Sequence, residues 1–273
     1  MDSFPGPTAH IDWAQVLLYM FWLFFAGLLF YLQREGRREG YPLVDENTGE
    51  EIEMGFWMPA PKFYRANDGR VVPAPDPSRA DTRPVAGKKT GWGKGEPIEP
   101  TSDVPLADSI GAGAYAERPD IPDLTFEGHD RIVPMRIATD FSIAELDTDP
   151  IGLPVFGADG EKVGDVVDGW VDRSEYVLRY LEVELDDAPK KVLVPVNIIE
   201  IKNTGDIIFK LITPNPPQAH PEIHVGALLA DQFTGAPTTA SPDRLTMLEE
   251  EKIFGYFGAG YLYATPERQE PLV

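Results

Sequence analysis

Three stretches of this sequence carry side chains able to do chemistry. EGHDR (127–131) sets Glu127 and His129 on one face if the chain is extended, with Asp130 and Arg131 beside them. An imidazole among carboxylates can accept protons near neutral pH or share a divalent metal with an acid. The alternative is solvated surface charge. Glu175 stands at a turn that opens an alternating strand, and Arg179 follows four residues later on the same face. Four residues of strand span about 13 Å, so a direct ion pair needs a bend, or each group needs another partner. HPEIH (220–224) spaces His220 and His224 like helical metal ligands around Glu222, but the nearby prolines argue for a loop with no metal. Gly111-Ala112-Gly113 and Gly258-Ala259-Gly260 resemble fragments of dinucleotide loops. Neither follows a strand and opens a helix, so both read as turns. No P-loop, HExxH, GxSxG or nucleophile–base pair occurs, and there is no cysteine, which excludes thiol catalysis and cysteine-held metals. The expectation is a non-catalytic chain holding no metal and no cofactor of its own.

The elements that must position these residues begin with a membrane segment. Trp13 to Gln33 contains no charged residue, and about 20 helical residues cover the roughly 30 Å hydrocarbon layer. The span is set at 12–33. A signal peptide is disfavoured because no Lys or Arg precedes it and QREGRR is not a small-residue cleavage site. Arg34, Arg37 and Arg38 follow at once, whereas residues 1–12 contain no Lys or Arg. The positive-inside rule therefore places 1–11 in the periplasm and the remainder in the cytoplasm, with the arginines near anionic headgroups. The span contains no histidine to ligate a chlorophyll or haem. It reads as an anchor or docking element.

Beyond it, residues 34–123 read as an extended segment, since 57–123 hold eleven of the 27 prolines. GFWMPAPKFY (55–64) is too aromatic for a simple linker and suggests contact with a partner. A β-rich domain is expected over 124–258. IGLPVFGADGEKVGDVVDGWV (151–171) reads as a hairpin about Asp159-Gly160, followed by strands at 176–185, 190–201 and 206–212. Their spacing predicts a small twisted antiparallel sheet or barrel. A helix over about 242–257 follows from Ser241 as N-cap and Pro242 at the first position, with a tail at 259–273. The net charge of −21, from 45 acids against 24 cations, argues against nucleic-acid binding.

The order of these motifs resembles the H subunit of the purple-bacterial photosynthetic reaction centre. The likeness rests on YLQREGRREGYPL (31–43), RPDIPDLTFEGHDRIVPM (118–135), DPIGLPV (149–155), KVGDVVDGWVDRSEYVLRYLEVEL (162–185), LEEEKIFGY and GYLYATP. It implies one transmembrane helix, a PRC-barrel and a place on the L and M subunits. Those carry bacteriochlorophyll, bacteriopheophytin, ubiquinone and non-haem iron. It further implies an inner, intracytoplasmic or chromatophore membrane, anionic cardiolipin-like lipids and a light-harvesting complex as a neighbour. By position, Glu175 and Arg179 match the family's internal proton-transfer residues near the secondary quinone, and His129, with Glu127 and Asp130, its surface site of proton uptake. The best-known members have an aspartate at the position of Thr125 and a second histidine at that of Glu127. Arg34, Arg38 and Tyr41 fall in the lipid-contacting region. A PRC-barrel adaptor without photosynthetic function is the alternative.

Overall fold

The computed structural model describes residues 12–45, 50–67, 69–76, 78, 81–91, 93, 95–204 and 220–269. The chain divides into two compact units, Met1–Thr82 and Arg83–Val273.

The first unit is built on α1 (Trp13–Glu35). Asp12 caps it, its carboxylate accepting from the N–H groups of Ala14 (3.0 Å) and Gln15 (3.2 Å). None of its residues is buried within the chain, and it is the one described helix long and apolar enough to cross a membrane. A helix apolar on every face with none of its residues buried needs lipid or other proteins around it. A turn at Gly36–Arg38 leads to a bridge between Val44 and Glu51, a 3-10 turn at Gly55–Trp57, and the antiparallel pair β1 (Lys62–Arg65) and β2 (Val71–Ala74). Arg38 fastens this unit. Its guanidinium donates to both Glu35 oxygens (2.9 Å each) and to the carbonyls of Ala60 (2.6 Å) and Ala74 (2.9 Å).

The second unit opens with the hairpin β3 (Gly87–Lys89) and β4 (Ile98–Pro100), then 3-10 turns at Pro105–Ala107 and Gly111–Gly113. Next come β5 (Ile132–Pro134), β6 (Pro154–Phe156), β7 (Lys162–Asp172), β8 (Val177–Leu185), β9 (Lys191–Pro195), β10 (Ile199–Thr204) and β11 (His220–Val225). They form one curled half-barrel sheet in the order β10-β11-β6-β7-β8-β9, with β5 also paired to β7. All pairs are antiparallel except β11 with β6. The expected hairpin about Asp159-Gly160 is present as β6–β7, with Gly160 at φ 79°. The predicted strand over 190–201 is two strands, because Pro195 ends β9 and a 3-10 turn at Val196–Ile198 separates it from β10. The strand expected at 206–212 lies outside the described residues.

The C-terminal helix α2 runs Met247–Tyr263, later than the expected 242–257. Ser241 does not cap it; it bridges to Arg244 in a tight turn. Thr246 caps instead, accepting from Glu249 N–H (3.1 Å) while the Glu249 carboxylate accepts from Thr246 N–H (2.9 Å). The helix continues through Gly258 and Gly260, correcting their reading as a turn. A Cβ at Gly258 would lie 2.6 Å from the Ala112 carbonyl oxygen, and one at Gly255 2.8 Å from that of Gly113. The two glycine motifs are thus faces of one close contact, in which residues 111–113 of the proline-rich stretch lie against the helix. Ile253 and Phe257 of α2 join Trp170, Tyr180, Leu181, Val183 and Phe233 in the core.

Candidate functional site

The site grows out of sheet register. β5 pairs with β7 so that Ile132 lies opposite Asp172, which brings Arg131, one residue earlier, to the end of β7. Asp172 ends that strand and directs the turn that follows. Its Oδ1 accepts from the N–H groups of Ser174 (2.8 Å) and Glu175 (3.0 Å), and its carbonyl accepts from Tyr176 N–H (2.8 Å). Tyr176 adopts φ 56°, a left-handed conformation unusual for an aromatic residue, and stacks on Phe141 at 5.4 Å. The turn folds Glu175 back over β8. Arg179 Nη2 reaches Glu175 Oε2 at 2.5 Å, which resolves the 13 Å separation expected of a straight strand.

Two arginines clamp two acids here. Arg131 donates to Asp172 (2.9 Å), Glu175 (2.7 Å) and Asp123 (3.1 Å). Arg179 reaches Asp172 at 3.3 Å as well as Glu175. The Asp172 side chain is 1% exposed and that of Glu175 52%. Burial works to raise the Asp172 carboxyl pKa, but the Arg131 guanidinium and the Glu175 and Ser174 N–H groups together outweigh it and hold the group below its ordinary value. The same Asp172 hydrogen bond leads the causes that raise the Arg131 pKa. Asp172 thus stays ionised and fixes the cluster, while Glu175 presents its carboxylate at the surface.

The residues 127–131 are arranged differently from the extended face expected. They close a hairpin in which Thr125 N–H donates to the His129 carbonyl (2.8 Å) and Gly128 takes φ 86°. Glu127 and His129 are exposed. Among the described residues neither side chain has a hydrogen-bond or ion-pair partner. Asp130 faces away to Arg244 (3.0 Å). The base of this hairpin reaches the turn through Asp123 and Arg131, so His129 and Glu175 lie on one continuous polar construction. HPEIH is not the expected loop but strand β11, in which Pro221 stands near the beginning and Ile223 and Val225 fill the core. His224 pairs with Glu222 (2.8 Å) and stacks on Phe156 (5.4 Å). Among the described residues no three His, Asp or Glu side chains gather as a metal site.

Two further polar groups escape sequence reasoning. Asp168 and Glu182 lie directly opposite on β7 and β8, and Arg136 bridges them (2.7 and 2.9 Å), with Trp170 Nε1–H donating to Glu182 (2.9 Å). Two acids in register call for a cation, a signal visible only once pairing is known. Glu250, in the first turn of α2, faces the wholly buried Tyr180. Burial raises the Glu250 carboxyl pKa, against the pull of the tyrosine hydroxyl and of Arg118, Arg179 and Arg131. Tyr180 Oη nevertheless meets no partner at hydrogen-bond distance and angle. Asp172 had a weak local signal, as an acid placed to form an Asx turn ahead of Glu175.

Among the described residues, one long apolar helix followed by a curled half-barrel with an ion-paired turn is the arrangement of a membrane-anchored PRC-barrel protein. The PRC-barrel domain model matches residues 143–214, and the model of the photosynthetic reaction centre H-chain N-terminal region matches residues 7–137. The chain is accordingly an H-subunit-like protein of the photosynthetic reaction centre. Chains of that family are structural subunits that bind no pigment themselves and associate with L and M subunits.

Proposed function

We propose that this chain is the H subunit that caps the L and M subunits on the cytoplasmic face and helps protons reach the secondary quinone. Pigments, iron and quinones belong to the partner chains. The part of this chain is to hold a proton path in place. The observation that carries the reading is the Asp172 cluster: a buried acid whose pKa is held below its ordinary value anchors Arg131 and Arg179, and both arginines contact the half-exposed Glu175. A carboxylate placed so becomes shielded when a partner covers it, and shielding moves a carboxyl group towards exchange near neutral pH. Exposed His129 and Glu127 serve as the collecting surface, with Asp130, paired to Arg244, beside them. The chain itself performs no catalysis.

The anchor supports the same reading, since α1 offers an uncovered apolar surface to neighbouring transmembrane helices. Mild detergent extraction should recover this chain with two larger multi-span subunits and near-infrared bacteriochlorophyll absorption. Recovery as a stable, pigment-free monomer would reject the proposal.

A further inference from the structure

In the second unit, Arg268 is held by carbonyl groups alone. Its Nη1 donates to the carbonyls of Ala227 (2.7 Å) and Gly260 (2.6 Å), and its Nη2 to that of Gly226 (3.0 Å). Gly260 lies in the last turn of α2, so these bonds fasten a cation at the helix C-terminus, where it is favoured. They fix the guanidinium but bring it no negative charge. Among the described residues no carboxylate pairs with Arg268. Its neighbour Glu267 is engaged by its own N–H and the Thr265 side chain instead. The chain has 45 acids for 24 cations, yet this half-buried arginine is left without one.

Arg268 forms part of the wall of a cavity of about 530 Å³, a size that takes a small molecule. Asn197, Glu200, Lys202, His224 and Tyr261 line it too. Lys202 pairs with Glu200 (3.4 Å) and His224 with Glu222 (2.8 Å), so those acids are taken. The side chains of Asn197 and Tyr261 make no hydrogen bond among the described residues. A guanidinium carries five N–H donors, and carbonyls use three of them here. Left over are Nε–H and one N–H of Nη2. Nε and Nη2 make the side edge on which a carboxylate seats with two parallel bonds. The charge balance sets the ligand's charge. With Lys202 matched to Glu200, Arg268 offers one positive charge, which a monoanion satisfies. A dianion such as phosphate would bring its second charge towards Glu200.

We propose that Arg268 binds the carboxylate of a small monoanionic organic acid in this cavity, with the Asn197 amide and the Tyr261 hydroxyl meeting polar groups on its body. The site lies wholly within the second unit and is independent of the reaction-centre reading. The bonds to Gly226, Ala227 and Gly260 hold the arginine in position before any ligand arrives, which lowers the cost of ordering it on binding.

The test uses the full-length chain in detergent micelles, titrated with lactate, lactamide and inorganic phosphate while the arginine Nε–H signals are followed by NMR. Lactate should shift the Arg268 signal saturably, and lactamide, which lacks the charge, should leave it in place. Arg268→Lys keeps the charge but loses the two-pronged edge, and should weaken lactate binding roughly tenfold or more. Wild-type affinity in that variant, or an Arg268 signal that lactate does not move, would overturn the site. Phosphate binding as tightly as lactate, or an equal response to lactamide, would overturn its assignment to a carboxylate monoanion. Should Arg268→Lys not fold, Asn197→Ala with Tyr261→Phe takes its place, since neither residue holds α2. That pair should weaken lactate binding several-fold, and wild-type affinity there refutes the proposal.

Discussion

Asp172 carries more of the site than the residue whose chemistry it serves. It is the fully buried acid between Arg131 and Arg179, and it also holds two turn N–H groups. Asp172→Asn would leave two arginines facing one exposed carboxylate, and the expected loss is roughly 3–5 kcal/mol in urea denaturation of the full chain in detergent. Because the folded-state pKa is lowered from 3.8, the stabilisation is complete above that value and disappears as pH falls through the folded value. The gap between variant and wild type should therefore close in acid. Glu175→Gln has another signature. The amide keeps contact with the arginines but cannot take a proton, so proton-coupled transfer of the second electron to the secondary quinone should slow. Unchanged flash-induced kinetics across the neutral range would remove Glu175 from the path. The sequence pointed to Glu175 and Arg179 through the turn that precedes an alternating strand. Arg131 was seen only as a neighbour of His129, since its role depends on the pairing of Ile132 with Asp172, which no local pattern displays.

Among the elements, α2 shows where local rules yielded to packing. Glycines at 258 and 260 ordinarily suggest a helix end. Here they remain helical because backbone from residues 111–113 and from Ala227 approaches where a side chain would stand. A Cβ at Gly260 would sit 2.3 Å from the Ala227 carbonyl oxygen. Gly260→Ala, which raises intrinsic helix propensity, should nonetheless lower stability by roughly 1–3 kcal/mol. A thermal melt showing stabilisation would contradict this. The start of α2 was missed because SPDR also makes a good turn, and Asp243 and Arg244 are engaged there by Arg136 and Asp130. The capping box at Thr246 and Glu249 was present in the sequence but lay behind the stronger Ser-Pro signal. Hairpin β6–β7 was fully legible because Asp-Gly fixes its own turn, without help from distant residues.

At the scale of the whole molecule, the apolar span and the β-rich domain were readable from composition and periodicity alone. The polar clusters were not, because each joins segments far apart in sequence. Arg136, for instance, meets Asp243. The half-barrel has one property that bears on its motions. Its sheet path ends at β10 on one side and β9 on the other, and these two strands are consecutive, joined by the three-residue turn Val196–Ile198. The free margins of the sheet therefore meet at a hinge made of the chain itself. Such a sheet loosens along a seam instead of shedding a strand. Amides of β9 and β10 should exchange with deuterium well before those of β7 and β8, which have paired strands on both sides. Uniform protection across all four strands would show that the seam is sealed. If it does open, the movement starts at a corner while the strands bearing Asp172 and Arg179 hold still, so the barrel can breathe without disturbing the Asp172 cluster.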